Sequence, residues 1–425
     1  MDEPETCKGF LLAEKRIPIR YQDRIRPYQC RVTFDLTRPR KVLIECLESI
    51  HELGVLLPGK TFFIEVSSGA EPIECAASSL KQTIMGPKAE ARATLIPLSS
   101  PVCVDTNSPI LRVNAAIINL SNYWFDHPQK LDFRLEDGTW VFEFTPVEES
   151  TFLYPRELQS KLYFFSYHLT LRRADGSTFT CLDAHQQLNL LSTFLSFCTE
   201  HWVSAALVEG VDETGAVVME EWGTRMVAPR HEPSNWLDAH HGSAMVEAFP
   251  GFARLMLDAD WKEAVRTAVY WYVRADTNHV GPDGAIILLQ AALERLAWHI
   301  LVQQRRAISE DSFSKRLPAA DQLRLLLDTS SIPLELPVDL AQLTMVGKGA
   351  NWVDGPQAFV EVRNQIVHPR KRHKMKGARA YYEALQLGKW YLELILLRAF
   401  GFNGLYAKRL KIPRYVGDVE AVPWV

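Results

Sequence analysis

Cysteine is sparse and scattered in this chain: Cys7, Cys30, Cys46, Cys75, Cys103, Cys181 and Cys198, with no Cys-x-x-Cys pair among them. An odd number without paired spacing predicts neither a disulfide framework nor a zinc site. It reads as the reduced, mostly buried thiols of a cytoplasmic protein. Long apolar runs are missing too: no stretch reaches about 18 consecutive apolar residues, so no transmembrane helix is expected. The N-terminal Met1-Asp2-Glu3-Pro4-Glu5-Thr6 is acidic and has no apolar core, which predicts no secretion. No segment repeats at a fixed period, which excludes a solenoid. Gly347-Lys348-Gly349 lacks the G-x-x-x-x-G-K-[ST] spacing and follows no strand, so it is not a nucleotide loop. No cofactor and no metal is expected.

What is present is ordinary for a globular protein. The 425 residues are 47% hydrophobic and 23% charged, enough chain for two or three domains. The net charge of −4 conceals an asymmetry. Residues 262–425 carry 23 Lys/Arg against 16 Asp/Glu, a balance of +7, which leaves −11 for residues 1–261. An acidic part joined to a basic part suggests two tasks, with a polyanionic partner on the basic side.

Most of the first half reads as β structure. Leu131–Leu135 and Trp140–Phe144 alternate in character around Glu136-Asp137-Gly138-Thr139, a hairpin signal. The design recurs at Tyr163–Leu171, where the turn Ala174-Asp175-Gly176-Ser177 leads to a strand at Phe179–Leu182. A third hairpin joins Ala205–Glu209 to Ala216–Glu220, and Tyr28–Phe34, Phe62–Val66 and Ile110–Leu120 fit further strands. Leu43–Leu53 suits strand or short helix equally, while Leu188, Leu191 and Leu195 share one face of a helix within Ala184–Ser196. Residues 222–260 form a junction with Trp222, Trp236, Pro229, Pro233 and Pro250. From Trp261 the period becomes helical: Trp261–Asp276, Asp283–Gln304, Pro318–Asp328, Val338–Met345, Gly355–His368 and Gly377–Phe400. The fold class is therefore α+β. A β-rich region 1–221, one domain or a pair of subdomains, precedes a junction 222–260 and an all-α bundle 261–425.

The chemistry concentrates in Gly355–Pro369. Pro356 suits a first helical position, Phe359, Val360, Val362 and Ile366 form an apolar stripe, and Pro369 ends the helix at His368. Asn364 and His368 are one turn apart on a common face, and the long Arg363 side chain reaches the same patch. Directly after come Arg370, Lys371, Arg372, Lys374 and Lys376, five cations in seven residues, which read as a phosphate-binding rim. Lys408, Arg409, Lys411 and Arg414 extend that rim.

Arg363-Asn364-Gln365-Ile366-Val367-His368 resembles the R-N-x-x-x-H motif of the HEPN superfamily, helical bundles that include many metal-independent ribonucleases of bacterial defence and toxin systems. The arrangement is most similar to ApeA-like HEPN proteins, in which the bundle follows a β-rich N-terminal region. The resemblance implies an endoribonuclease with Arg363, Asn364 and His368 as catalytic residues, RNA as substrate, and a homodimer through the C-terminal bundle with two motifs at one cleft. It also implies defence or growth arrest as the biological role. The chemistry is coherent with the residues: imidazole moves protons near neutral pH, and a guanidinium stabilises a phosphorane-like state. The acidic N-terminal region would regulate the bundle or recognise a trigger. The alternative is a non-catalytic HEPN-like scaffold that binds RNA or protein.

Other clusters read as structure. Glu294 either neutralises a buried arginine such as Arg363 or pairs locally near Arg295 and Trp298, on the helix that carries His299. Cys198-Thr199-Glu200-His201 and His231, His240 and His241 lack a second spaced pair, so they read as core cysteine and loop histidines. Trp261, Tyr270, Trp271 and Tyr272 read as helix core, not as a base-stacking platform.

Overall fold

The structure is a computed structural model that describes residues 10–21, 24–34, 42–48, 61–65, 72–85, 88–98, 102–105, 107–121, 123–125, 131–147, 163–229, 234–275, 277–368 and 378–425. The fold is α+β, with a β-rich N-terminal region followed by helices. The chain forms two compact units that interleave in sequence. One comprises Met1–Leu120, Thr139–Asn189 and Val203–Arg230; the other comprises Ser121–Gly138, Leu190–Trp202 and His231–Val425.

The first unit opens with a closed six-stranded barrel. Its strands are β1 (Phe10–Tyr21), β2 (Arg24–Phe34), β3 (Val42–Cys46), β4 (Thr61–Ile64), β5 (Ile73–Met85) and β6 (Lys88–Pro97), in the order β1-β2-β3-β6-β5-β4. Pairing of β1 with β4 closes the sheet into the barrel. Alternation fills the interior: β3 buries Val42, Ile44 and Cys46 in turn, so Leu43–Leu53 begins as strand, and its residues 49–53 lie outside the described residues. Ile17, Ile19, Val32, Phe34, Phe62 and Ile64 complete the same core.

The second sheet contains β7 (Val102–Asp105), β8 (Arg112–Ile118), β9 (Phe133–Glu136), β10 (Trp140–Pro146), β11 (Phe165–Arg173), β12 (Ser204–Val211) and β13 (Val217–Thr224). Their order is β7-β13-β12-β8-β11-β10-β9. The turns follow from their residues. Gly138, Gly176 and Gly215 all take positive φ, and the Asp212 carboxylate accepts from the Thr214 and Ala216 amides to close the β12–β13 hairpin. One expected strand is absent. Phe179 makes only an isolated bridge with Ile110, and helix α1 (Cys181–Thr199) begins where Phe179–Leu182 was expected to pair. Thr180 and Asp183 explain this: the Thr180 hydroxyl accepts from the Asp183 amide at 3.2 Å, while the Asp183 carboxylate accepts from the Thr180 amide at 3.0 Å. That reciprocal cap starts a helix more firmly than Phe179–Leu182 can extend a sheet.

The helices are α2 (Ser243–Leu257), α3 (Ala259–Arg274), α4 (Thr277–Trp298), a π turn (His299–Gln304), α5 (Glu310–Arg316), α6 (Ala319–Thr329), α7 (Ala341–Ala350), α8 (Gly355–Val367) and α9 (Ala378–Phe400). Two two-residue strands, β14 (Leu405–Tyr406) and β15 (Glu420–Ala421), pair near the C-terminus. The segment 222–260 is less of a junction than its prolines imply. It contains α2, with Pro250 inside it and Phe249 and Phe252 fully buried. Gly251 permits that burial, because a Cβ there would lie 1.7 Å from the Phe400 carbonyl oxygen of α9. Asp258 then ends α2 and caps α3, accepting from the Asp260 and Trp261 amides. Within α4, Gly281 takes φ +69 at the Gly281-Pro282-Asp283-Gly284 turn, so the regular helix starts beyond it. The stretch Val280–Gln304 is long and apolar enough to cross a membrane by length and composition, and 61% of its most apolar window is buried within the protein, as in a core helix.

Candidate functional site

Helix α8 presents the motif, and its start is fixed from several sides. Asp354 accepts from the Gln357 amide at 2.9 Å, and Gln357 in turn accepts from the Val353 amide at 2.9 Å. Arg324 of α6 grips the same Asp354 carboxylate with Nε at 2.6 Å and Nη2 at 3.1 Å, and bonds Asp321 through Nη1. The helix then lies close against α9. A Cβ on Gly355 would meet the Tyr391 hydroxyl at 2.0 Å, and one on Gly388 would meet the Phe359 ring at 2.4 Å. Two glycines, one on each helix, thus set the approach of α8 to its support. Phe359 and Val362 are fully buried and Val360 nearly so.

Burial ends abruptly toward the C-terminus of α8. Arg363, Asn364, Gln365 and Ile366 are half-buried, while Val367 and His368 are exposed. The structure brings Arg363 and Asn364 together, Nη1 donating to Oδ1 at 3.3 Å. Arg363 Nε is buried and has no acceptor among the described residues. His368 takes φ −121 and ψ 71, outside helical geometry as Pro369 demands, and its amide donates to the Asn364 carbonyl at 2.8 Å. The three motif residues therefore share one helix end, with His368 tied to Asn364 through the backbone. Arg370, Lys371, Arg372, Lys374 and Lys376 lie outside the described residues.

The expected extension of the basic rim does not form. Arg409 is 4% exposed and is consumed by carboxylates: Nη2 lies 2.5 Å from Glu200 and 2.7 Å from Glu393, and Nε bonds both Glu393 oxygens. Arg414 donates to the Asn235 and Leu237 carbonyls, Lys411 pairs with Asp418 at 3.1 Å, and Lys408 pairs with Asp339 at 3.5 Å. Arg409 is thus buried and Arg414 engaged by backbone carbonyls, while Lys408 and Lys411 form partly exposed ion pairs. Glu294 likewise accepts from Gln290 one turn earlier at 2.7 Å, and no ion pair joins it to Arg363 among the described residues.

Sequence reasoning missed the buried cluster around Arg409. Glu200, Glu393, Lys389, Arg409 and Tyr272 come from the end of α1, from α9, from α3 and from the C-terminal segment. Lys389 donates to Glu200, Tyr272 donates to Glu393, and Gln386 accepts from Arg409 at 2.7 Å. Glu200 holds a left-handed φ of 58°, a conformation that costs a non-glycine residue roughly 1–2 kcal/mol. Burial opposes its charge, yet Arg409 and Lys389 outweigh that and hold its carboxyl down at about 2. The local segment Cys198–His201 carries no hint of this, because its partners lie far along the chain.

The other clusters resolve as structure or as contacts. Cys198 is fully buried, His240 stacks on Trp124 at 3.8 Å, and His241 Nδ1 lies 3.4 Å from Asp238; His231 is outside the described residues. Gly347-Lys348-Gly349 lies within α7, where Gly347 faces Trp352. Tyr272 is core, whereas Tyr270 is exposed beside Trp202 and Arg274. His299 Nδ1 meets Gln303 at 3.0 Å, and burial against Trp261 lowers its basicity. Among the described residues, one group could hold a metal ion: Cys103, Cys181 and His185, in the first unit.

Comparison with known proteins adds relationship without chemistry. No solved structure matches the chain. The SPbeta prophage-derived uncharacterized protein YopA of Bacillus subtilis (strain 168) is 27% identical over 275 residues, a match covering 64% of this chain and 60% of that protein. By its domains the chain is similar to YopA in two places, the YopA central domain over residues 105–233 and the YopA C-terminal domain over residues 258–421.

Proposed function

We propose that the protein is a metal-independent endoribonuclease of the HEPN type, acting through Arg363, Asn364 and His368. The observation that carries the reading is the end of α8, where a cation, an amide and an exposed imidazole follow one another beyond a rigidly docked helix. In the reaction, the substrate 2′-hydroxyl attacks the adjacent phosphate, the P–O5′ bond breaks, and a 2′,3′-cyclic phosphate forms. His368 moves the proton, Arg363 stabilises charge on the phosphoryl oxygens, and Asn364 holds Arg363 in place through the contact at 3.3 Å. Arg370, Lys371, Arg372, Lys374 and Lys376 bind the RNA backbone. The reading rests on the motif residues and the basic segment, not on the matched families.

The biological setting is cytoplasmic defence or growth arrest, with the first unit sensing a trigger, and the prophage origin of the similar YopA accords with it. Two chains share the cleft through their C-terminal bundles. Ile366 and Val367 remain half-buried and exposed at the end of the motif helix, apolar surface that a second copy would cover. Light scattering at micromolar concentration should report twice the 48.4 kDa chain mass; a monomer at every concentration would remove the shared cleft.

The test of the activity is direct. Purified protein incubated with total RNA in excess chelator should yield new fragments ending in 2′,3′-cyclic phosphate, while DNA and 2′-O-methyl RNA resist. RNA retained without cleavage, together with no toxicity on overexpression, would favour a binding scaffold instead.

A further inference from the structure

The first unit gathers two thiols, an imidazole and a carboxylate at one point. Cys103 lies on the edge strand β7, directly opposite Glu221 of β13 in the antiparallel register, so both side chains share one face. The first turn of α1 covers that face, with Cys181 and His185 one helical turn apart. Cys103 Sγ lies 3.4 Å from Cys181 Sγ, Cys181 Sγ lies 4.0 Å from His185 Nε2, and the three ligand atoms all fall within 4.8 Å of one another. His185 Nε2 is also 3.1 Å from Glu221 Oε2.

These separations fit one tetrahedral ion. Zn–S bonds of about 2.3 Å and Zn–N bonds of about 2.0–2.1 Å place sulfur roughly 3.8 Å from sulfur and roughly 3.5 Å from nitrogen. Both cysteines are free, their sulfurs farther apart than the about 2.05 Å of a disulfide bond. Charge also balances. Glu221 is buried and held by Arg225, whose Nη1 and Nη2 donate to its two oxygens at 2.7 and 2.8 Å, so that pair is neutral. Two thiolates then balance one divalent cation, whose coordination itself removes the thiol protons. We propose that Cys103, Cys181 and His185 bind a zinc ion, with Glu221 and Arg225 flanking its fourth position. The ion would pin the four-residue edge strand β7 to the start of α1 and so stabilise the rim of the sheet. Thiolate and imidazole donors select zinc over the hard cations magnesium and calcium. Local sequence offered only the Cys-x-x-x-His spacing of residues 181 and 185; the third ligand stands 78 residues away.

The site is independent of the ribonuclease reading, and so is its test. Reduced full-length protein, stripped by chelator, is titrated with cobalt(II) as a spectroscopic substitute for zinc. One equivalent per chain should produce a thiolate-to-cobalt charge-transfer band and d–d bands of tetrahedral intensity, and zinc should abolish both. Cys103→Ser with Cys181→Ser should remove the charge-transfer band, His185→Gln should weaken binding, and Glu221→Gln should lower affinity about 10- to 100-fold while keeping the band. Cys75→Ala, in the barrel, should change none of this. On the wild-type protein zinc should also protect Cys103 and Cys181 from alkylation, which keeps the test decisive if a variant fails to fold. Absence of the band and of that protection, cobalt binding that survives loss of both thiols, or a Cys103–Cys181 disulfide that persists in reductant would overturn the proposal.

Discussion

His368→Ala is expected to leave the protein folded and to slow RNA cleavage by about 10²- to 10⁴-fold, the usual worth of a positioned proton-transfer group. The side chain is exposed and lies beyond the last helical residue, so removing it opens no cavity and breaks no helix hydrogen bond. Arg363→Ala should cost roughly 10²-fold or more, because it withdraws positive charge from a phosphoryl group that gains negative charge in the transition state. Asn364→Ala should cost less, since the amide orients Arg363 and the chemistry passes through other atoms. The three effects should not add, because the residues act as one unit. Circular dichroism and unchanged melting would separate lost chemistry from lost fold. A folded His368→Ala protein that cleaves RNA at the wild-type rate sinks the assignment, and cleavage that chelator abolishes moves it to another nuclease class.

The placement of the motif helix was legible because its determinants are local. Pro356 and Pro369 bracket α8, and Phe359 and Val362 mark its buried face within a dozen residues. The hairpins were legible for the same reason, each carrying Asp-Gly or a near equivalent at its turn. What escaped depends on distance in sequence or on two signals in conflict. Helix α2 was hidden by Pro250, a breaker on its own, which the packing of Phe249 and Phe252 overrides. The strand expected at Phe179–Leu182 lost to a cap formed by Thr180 and Asp183, and the apolar character of Phe179 and Leu182 gave no sign of it. Arg409 read as a surface cation because neighbouring residues are basic; its partner Glu200 stands 209 residues earlier. Nothing local distinguishes a buried arginine from a solvated one until the fold supplies the carboxylates.

Arg409→Ala should therefore strongly destabilise the second unit, with no effect expected from its former reading as an RNA contact. The substitution leaves Glu200 with Lys389 as its charge partner and Glu393 with only the Tyr272 hydroxyl among the described residues, both in a dry interior. Breaking a buried ion pair from one side costs about 3–5 kcal/mol, against about 0–1 kcal/mol for an exposed pair. Urea unfolding at pH 7 distinguishes these outcomes, and a loss below about 1 kcal/mol would place Arg409 with ordinary surface pairs. The double variant Arg409→Met with Glu393→Gln should recover part of the loss, since neither then leaves an uncompensated partner. The pH dependence follows from Glu200. Its folded value of about 2 lies below the ordinary 4.5, so its contribution is complete above the ordinary value and fades as pH falls from about 4.5 to about 2. In Arg409→Ala the carboxylate has lost its main partner and protonates at higher pH. The gap between variant and wild type should then shrink as the solution is acidified, and a gap that stays constant from pH 7 to pH 3 would mean the damage is packing alone. The same cluster anchors α9, against which Gly388 and Tyr391 seat the motif helix, so a partly loosened Arg409→Ala protein should also misplace Arg363 and lose cleavage before it unfolds.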